Sequence, residues 1–445
     1  MSDSPPRAKA GYWQLTFMIY GAVCGGAFGI ESMVSGSGPG LAILISVAMP
    51  FIFSIPISLA VAELTAAFPV EGGNYRWSRM ALGDFWGFQA AWWAWMTGMV
   101  TNSSFAVLFA DYLRKAEGLS DGQHLAVRVA LIAALFWLNV RGIDLVGNTS
   151  IALSVLLLAP FAALIAIGFT HWSHSPITPF IPPQVSMNTA VGSGLVLGIW
   201  LYSGYDKLSS VAEEVEEPQR VFPRALLSAA TLAMLSYVIP VVAALAYLGD
   251  WDQWKDQYFL EVARKMGGQT LFYAMTFSAL CSNALLLNVT QLSASRVPLA
   301  AARDGLMPRW LTLSHSRFGT PWLSLLVGSF VTLGFTYFTF EQIVIIYAWF
   351  QMASNLLVYA NVYVLRRTHA DTPRPFRLPG GTPGWIACTL PTVLIAVIAI
   401  RDPIWKDGQL VTPELQKGLL AFASGPIFYY VCRLFSSAPA PSAQK

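Results

Sequence analysis

The sequence predicts an all-α membrane protein of twelve transmembrane helices, in which helices 1 and 6 are broken. Its residues are 55% hydrophobic and 11% charged, whereas soluble domains carry about 25% charged residues. The mean hydropathy is +0.54. Apolar runs of about 20 residues, enough to cross a ~30 Å hydrocarbon core, recur along the chain. Glycine-rich polar stretches interrupt two of these runs. The composition therefore excludes an ordinary soluble domain.

The predicted segments are separated by turns rich in glycine, proline and charged residues. They cover residues 14–35, 40–66, 83–112, 125–140, 145–170, 189–212, 223–248, 268–298, 321–338, 341–365, 385–400 and 416–434. Segments 1 and 6 carry the interruptions, so we expect one repeat over 14–170, a second over 189–366, and two further helices over 385–435. Because each repeat has an odd number of crossings, the two would be inverted relative to each other.

The distribution of basic residues predicts how the chain is oriented. A transmembrane domain over 11–435 leaves polar tails at 1–10 and 436–445, and residues 1–10 do not have the pattern of a signal peptide. Of the 27 Lys and Arg, 17 fall on the side of the N-terminus and 9 on the other, with Lys207 inside a segment. Cytoplasmic loops are the basic ones, so we expect both termini in the cytoplasm and a location in the plasma (inner) membrane. The net charge of +3 then reflects topology and does not indicate a nucleic-acid partner.

The cysteines and histidines do not predict a metal site, a disulfide framework or a cofactor. Cys24, Cys281, Cys388 and Cys432 are scattered without ligand spacing, and the five histidines form no cluster beyond a pair in one loop. No nucleophile and base stand at a catalytic spacing either. An enzyme is therefore disfavoured.

The two interruptions are the strongest functional signal in the chain. The first is 24–31 (CGGAFGIE), with Gly25, Gly26, Ala27 and Gly29, and the second is 200–207 (WLYSGYDK), with Ser203 and Gly204. Unwound backbone persists in a bilayer only where it lines a cavity or is buried in protein. Paired broken helices are typical of the substrate site of a secondary transporter. The alternative is close helix packing through small residues.

Three charged residues stand in or beside these interruptions. Glu31 and Asp206 would each cost about 2.5–3.5 kcal/mol if bare at mid-membrane, so we expect them to meet a proton, a substrate amine or a partner cation. Lys207 is one such cation. These three residues are the candidates for coupling transport to an ion. A structural network among them, without substrate contact, is the alternative.

Aromatic and polar residues at membrane depth complete the predicted substrate site. Tyr202 and Tyr205 could place ring faces against a cation, and Thr101 and Asn102 offer polar groups on segment 3. Aromatic faces stabilise cations by ~0.5–2 kcal/mol. Packing and hydrogen bonds to neighbouring backbone are the competing roles for these residues.

Four stretches, in a characteristic order, resemble a known family. They are 69–75 (PVEGGNY), 212–218 (AEEVEEP), 303–308 (RDGLMP) with 318–321 (FGTP), and 374–377 (RPFR). With them the chain resembles the amino acid–polyamine–organocation transporter superfamily. The resemblance implies a LeuT-type fold with a 5+5 inverted repeat, and transport by alternating access.

A closer resemblance is to the polyamine-uptake and amino-acid permease branch. It rests on 28–34 (FGIESMV), 85–89 (FWGFQ), 107–113 (VLFADYL) and Asp206. The chain departs from that branch at Thr101 and Thr290, where acidic residues are common, and at Lys207, where a small polar residue is usual. These departures weigh against a long polycation.

The sequence therefore predicts a secondary transporter that imports a small amine or amino acid. Asp206 and Glu31 favour a cationic substrate, such as a basic amino acid or a polyamine, and membrane-depth carboxylates favour protons over sodium as the coupling ion. A neutral amino-acid transporter or exchanger of the same fold is one alternative. A non-transporting receptor or scaffold is another.

Overall fold

The protein is built almost entirely of α-helices, as predicted. The computed structural model describes residues 10–70, 72–208, 215–255, 257–406, 409–410 and 412–435. The predicted tails, apart from Ala10, lie outside these residues, as do Glu71, the end of the sixth segment at 209–212, and the following residues 213–214. In the described part, the sole strand pair is a two-stranded hairpin of Trp405–Lys406 and Gln409–Leu410.

The helices of the first half follow the predicted segments closely. They are α1 (Tyr12–Val23), α2 (Glu31–Ser37), α3 (Pro39–Met49), α4 (Ile55–Ala67), α5 (Asn74–Leu82), α6 (Asp84–Glu117), α7 (Asp121–Val140) and α8 (Ile143–Thr170). A π-helical turn, Pro50–Ser54, joins α3 to α4. Pro50 and Pro56 remove backbone donors there, and π turns occur mostly as such single bulges inside α-helices.

The second half contains the longest helices. They are α9 (Met187–Leu201), α10 (Pro218–Leu248), α11 (Tyr258–Arg303), α12 (Trp322–Phe335), α13 (Phe340–Thr368), α14 (Gly381–Ile404) and α15 (Thr412–Phe435). Helix α11 bends at Gly267 and Gly268, which have non-helical backbone angles. Short 3₁₀ turns lie at Trp251–Gln253 and Arg309–Thr312.

Several boundaries differ from the predicted segments. Segment 14–35 is two helices, because residues 24–30 are unwound, and α9 ends at Leu201 instead of 212. Helix α10 begins at Pro218 instead of 223, with a proline in its first turn, where the missing backbone donor costs nothing. The amphipathic helix α5 lies between the predicted segments 40–66 and 83–112. Its sequence is short and polar overall, so no hydropathy signal marked the helix, although one of its faces buries Asn74 and Trp77.

Seven helices are long and apolar enough to cross a membrane by length and hydropathy, among the residues described. They are Pro39–Ala67, Asp121–Val140, Leu145–Thr170, Pro218–Leu248, Tyr258–Arg303, Gln342–Thr368 and Gly381–Arg401. Met187–Leu201 and Trp322–Phe335 are apolar but shorter. Large apolar side chains such as Phe330 and Leu420 are mostly exposed, as is normal for a surface whose solvent is lipid.

The centre of the bundle is formed by α6 and α11, which pack along each other and carry many of the buried polar residues. Asn102, Asn288 and Gln291 are each at most 4% exposed. The Asn139 amide of α7 donates to Asn288 Oδ1 over 2.8 Å. Polar faces turned inward and apolar faces turned outward indicate a bundle that surrounds a polar path.

One buried ion cluster joins the end of α4 to the end of α13. The Glu63 carboxylate accepts two hydrogen bonds from Arg366, at 2.7 and 2.6 Å, and one from the Leu378 amide at 2.8 Å. Arg374 lies 3.6 Å from the same carboxylate. The Glu63 side chain is 2% exposed. Both arginines would therefore lose a buried counter-charge if Glu63 were neutral.

We expect Glu63→Gln to destabilise the fold. Removing one partner of a buried ion pair costs about 3–5 kcal/mol, because the remaining charge is uncompensated. The thermal unfolding midpoint of the detergent-solubilised protein should fall by several degrees. Glu261→Gln is the control, because Glu261 pairs with Arg264 at 3.5 Å near the surface, where such pairs contribute about 0–1 kcal/mol. Equal midpoints for both variants would contradict the role of the cluster.

Candidate functional site

The first break lies between α1 and α2. Gly26 and Gly29 have φ of 80° and 87°, a left-handed region that glycine enters without strain. The Ser282 hydroxyl of α11 donates to the Gly25 carbonyl oxygen. A Cβ at Gly29 would lie 2.7 Å from the Trp200 ring. The glycines therefore allow the left-handed backbone conformation of the break and also let neighbouring helices pack closely against it.

The second break begins where α9 ends at Leu201. Gly204 has φ of 115°, and a Cβ there would lie 2.7 Å from the Ala22 carbonyl oxygen in the last turn of α1. The Ser54 hydroxyl donates to the Tyr202 carbonyl over 3.1 Å. The Ser293 hydroxyl donates to the Lys207 carbonyl over 2.6 Å. Carbonyls released by the unwinding thus gain partners from other helices, and the second break touches the end of α1, directly before the first break.

Tyr237 of α10 links the two breaks. Its hydroxyl lies 3.3 Å from the Val23 carbonyl and 3.1 Å from the Leu201 carbonyl, so one proton is shared between the C-terminal ends of α1 and α9. Its ring packs edge-on against Tyr202, with 5.1 Å between the centroids. Tyr237 is 2% exposed. No sequence pattern predicted this role, because a tyrosine in an apolar helix usually only packs against neighbouring helices.

A cavity lies between the breaks, and we call it the central cavity. It encloses about 310 Å³, open mouth included. Its polar lining includes Thr101, Ser203 and Lys207, and its aromatic lining is Phe28, Phe105, Trp200, Tyr237 and Tyr347. Lys207 is the charged residue of this lining. The mixed polar and aromatic lining suits a small organic molecule, but the space open to a water-sized sphere is about 10 Å³, room for about one water molecule. The cavity must therefore widen to hold such a molecule.

Three polar atoms of the central cavity's lining residues are buried and make no hydrogen bond of normal length within the part of the chain that the structure describes, although the Tyr347 hydroxyl is near enough to interact with Thr101 and Ser203. They are Thr101 Oγ1, Ser203 Oγ and Trp200 Nε1. An unpaired buried polar group costs about 1–3 kcal/mol. Their grouping around one cavity indicates that a bound molecule or water completes them.

A second cavity, which we call the inner cavity, extends from the second break towards α5. It encloses about 500 Å³, open mouth included. Asp206, Lys207 and Gln351 line one end, and Asn74 and Tyr75 line the other. Lys207 therefore lines both cavities. Together they form a path from the breaks to one end of the bundle.

Asp206 and Lys207 are half-buried on this path. The charges act on each other, and Gln351 of α13 also interacts with the Asp206 carboxylate. The Lys207 ammonium lies 5.8 Å from the centroid of the Tyr347 ring. Contact with the cavities and with each other explains how adjacent opposite charges persist at membrane depth.

Glu31 is arranged differently from Asp206. Its carboxylate is 1% exposed and accepts hydrogen bonds from the Gly29 amide at 2.7 Å and the Tyr112 hydroxyl at 2.9 Å. It lies outside the lining of the two cavities. A negative charge at the start of α2 is also favourable for the helix dipole. In this arrangement Glu31 fixes the backbone of the first break.

The predicted site residues fall into two groups. Gly25, Thr101, Ser203, Asp206 and Lys207 line one or both cavities. The others lie behind this lining: they are Gly26, Ala27, Gly29, Glu31, Asn102, Tyr202, Gly204 and Tyr205.

Besides Glu31, two further residues of the second group are bonded to other helices. The Tyr202 hydroxyl donates to the Ser46 carbonyl over 2.7 Å, and Asn102 accepts from Thr290. The sequence reasoning passed over Phe28, Phe105, Trp200 and Tyr347 as lining, because single aromatics in apolar helices resemble packing residues.

Aromatic residues close the side of the central cavity opposite the inner cavity. Phe28 packs against Phe161 and Phe259, with centroids 5.0 and 6.3 Å apart, and Trp254 lies 5.3 Å from Phe259. All four rings are at most 5% exposed. Phe259 and Trp254 precede the bend of α11 at Gly267. This cluster is a hydrophobic seal over the breaks.

The far end of the inner cavity carries an ion cluster. Asp304, after α11, lies 2.9 Å from both Arg76 and Arg79 of α5, and accepts a 2.5 Å hydrogen bond from the Tyr75 hydroxyl. Burial and this hydrogen bond raise the pKa of Tyr75, so its hydroxyl stays a donor at physiological pH. The cluster ties α5 to the end of α11 at the mouth of the path.

The amino acid permease family model matches residues 11–416. The chain belongs to this family. It is 33% identical to a probable polyamine transporter of Arabidopsis thaliana, over 90% of the chain and 82% of that protein. It is 34% identical to the polyamine transporter PUT1 of Oryza sativa subsp. japonica, over 86% and 72% respectively. The family and these relatives are transporters, not enzymes, and the chain is an integral membrane protein.

More distant matches agree with this assignment. Vacuolar cationic amino acid transporter 8 of Arabidopsis thaliana is 24% identical over 84% of the chain and 65% of its own length. The crystal structure of MhsT in complex with L-phenylalanine has a TM-score of 0.66 at 16% identity, over 89% of the chain and all of that protein. The similarity to MhsT shows that the LeuT-type fold is present.

We expect Gly204→Ala to reduce stability and ligand binding by more than the unfavourable backbone angle of alanine at this position would explain. A Cβ in a left-handed conformation costs about 1–3 kcal/mol, and here it would also press on the Ala22 carbonyl. Gly142→Ala is a matched control, because Gly142 has φ of 109° with nothing within 4 Å of the added Cβ. The thermal midpoint and ligand binding should both fall further for Gly204→Ala. Equal losses in the two variants would contradict the contact between the second break and the end of α1.

Proposed function

We propose that the chain is a secondary transporter that imports a small amine or amino acid by alternating access, with the central cavity as its substrate site. The observation that carries the proposal is the meeting of two broken helices at a cavity whose buried polar groups include three without a hydrogen bond of normal length among the described residues. The polyamine and cationic amino acid transporters among its relatives support the same class of substrate.

The charges on the path support a substrate that carries an amine. Asp206 lines the inner cavity next to the central one, where its carboxylate can pair with an ammonium. Trp200, Phe28 and Tyr347 supply aromatic faces beside it, and such faces also stabilise cations. A neutral amino acid is the second candidate, since Lys207 contributes a positive charge to the central cavity.

The finer architecture belongs to the same proposal. We infer twelve crossings in a domain over 11–435, with inverted repeats over 14–170 and 189–366 and two further helices over 385–435. The breaks at the start of each repeat, after Val23 and after Leu201, support this arrangement. The excess of basic residues on one side supports cytoplasmic termini in the plasma membrane. The inner cavity would then open towards the cytoplasm, with Phe28 and Phe259 sealing the outside.

Asp206→Asn should weaken binding of a cationic substrate by about 10- to 100-fold, the effect of losing one hydrogen bond to a charged group. Binding of neutral amino acids should change far less. Ligand-induced rises in the thermal midpoint, across basic and neutral amino acids and polyamines, measure both. Asp252→Asn in an exposed loop turn is the control. Equal weakening of both substrate classes would assign Asp206 to coupling or structure.

Uptake into liposomes should follow an imposed pH gradient and should be indifferent to a sodium gradient at fixed pH. Carboxylates held out of water can exchange protons near neutral pH, and Glu31, Asp206 and Lys207 are the candidates here. Uptake that a sodium gradient drives equally well, with no response to pH, would overturn proton coupling. No uptake, exchange or binding of any amine or amino acid would instead favour a receptor.

A further inference from the structure

A third opening lies on the side of the bundle, away from the two breaks, and we call it the lateral groove. It runs between the N-terminal part of α6, the 3₁₀ turn Arg309–Thr312, α12 and the last turns of α15. The space in it that is open to a water-sized sphere is about 430 Å³, against about 30 Å³ in the inner cavity. Pockets that hold small molecules have volumes of this size. The lateral groove therefore has room for a ligand without any widening.

Apolar side chains line almost all of the lateral groove. Trp92 and Met307, on its buried side, are 8% and 3% exposed, whereas Trp310 and Phe428 are 46% and 43% exposed. The Ser424 hydroxyl in the lining accepts a hydrogen bond from Trp92 Nε1 over 2.8 Å. A polar ligand would lose its hydrogen bonds to water here and gain few in return. The lining therefore favours a hydrocarbon chain.

The length of the groove matches one leaflet of a bilayer. Trp310 stands at one end, in the turn before α12, and Val331 lies nine residues after the start of α12 at Trp322. Nine helical residues span ~13 Å, close to half of a ~30 Å hydrocarbon core. A transmembrane helix of another protein would cross both leaflets and extend beyond the groove. The acyl chain of a lipid would not.

Two exposed arginines adjoin lining residues at this end of the groove. Arg309 directly precedes Trp310, and Arg433 directly follows Cys432. The Arg433 guanidinium lies 5.6 Å from the centroid of the Tyr429 ring. Neither arginine forms an ion pair with an acidic side chain of the described residues. Basic side chains beside pockets between membrane helices bind the headgroups of anionic lipids, so the charge at this end complements a phosphate.

We propose that the lateral groove binds one anionic phospholipid of the surrounding leaflet, with an acyl chain between α6, α12 and α15 and the phosphate beside Arg309 and Arg433. The orientation proposed above places this end in the cytoplasmic leaflet, which is the anionic one. Met307 in the lining follows Asp304 by three residues. The bound lipid would therefore brace the segment that holds α5 against α15. This binding is separate from the proposed transport of a substrate.

A photoactivatable lipid tests the proposal on the full-length protein. The protein is reconstituted into phosphatidylcholine vesicles with a trace of phosphatidylglycerol or phosphatidylcholine whose acyl chain carries a diazirine, and the labelled peptides are identified by mass spectrometry. Phosphatidylglycerol should label segments 92–96, 307–311 and 424–432 about tenfold more than phosphatidylcholine, the scale expected for two basic side chains near an anionic headgroup. Equal labelling by the two lipids would overturn the proposal. Absence of label from these segments, as expected if a second copy of the chain covers the groove, would overturn it too.

Arginine variants test the headgroup contact. The double variant Arg309→Gln, Arg433→Gln should lower the labelling by phosphatidylglycerol to the level of phosphatidylcholine. Arg317→Gln is the control, because Arg317 is also exposed, lies in the loop before α12 and packs over the Phe318 ring, but does not adjoin the lining. An undiminished preference for phosphatidylglycerol in the double variant would overturn the proposal.

A variant that fills the groove tests the acyl-chain contact. Val331→Phe should reduce labelling of the three segments by both lipids, because the larger side chain occupies the space of the acyl chain. Val155→Phe on α8, where Val155 is 61% exposed, should leave the labelling unchanged. Full labelling of Val331→Phe would contradict a chain bound in the groove. None of these measurements requires a substrate, so failure of the proposed transport function would leave their outcome unaffected.

Discussion

The structure depends on satisfying backbone groups that two broken helices leave unpaired inside a membrane. Unsatisfied carbonyls are costly where no water reaches them, and neighbouring helices supply the donors. The shared Tyr237 hydroxyl covers the ends of α1 and α9 at Val23 and Leu201. Ser282 does the same for Gly25. With these partners, the unwound backbone is stable enough to form the wall of a cavity.

The same constraint determines which charges can be present. Glu31 is fully buried because the Gly29 amide and the Tyr112 hydroxyl occupy its carboxylate. Asp206 and Lys207 instead remain half-buried, in contact with cavities and with each other. Two acidic residues at matching breaks therefore have different surroundings: Glu31 stabilises the backbone of a break, and Asp206 lines the inner cavity.

The two ends of the path are closed by different kinds of contact. At one end Phe28, Phe161, Phe259 and Trp254 form an apolar cluster. At the other end Asp304 ties α5 to the end of α11 through Arg76, Arg79 and Tyr75. The first end is held by the packing of buried rings, and the second by ion pairs and a hydrogen bond.

The sequence alone determined the helical membrane fold, the positions of both breaks and the charged residues in them. It could do so because hydropathy and the backbone freedom of glycine are properties of the local sequence. The resemblance of stretches such as 303–308 (RDGLMP) to a known family indicated which type of helical fold to expect. Only the tertiary structure decided which of those residues face a cavity, because that depends on how α6, α10 and α13 pack around the breaks. Tyr237, Trp200 and Tyr347 acquire their roles from contacts far along the chain, and no local pattern marks them. Lys207 was visible as an anomaly in the sequence, but its place between two cavities was not.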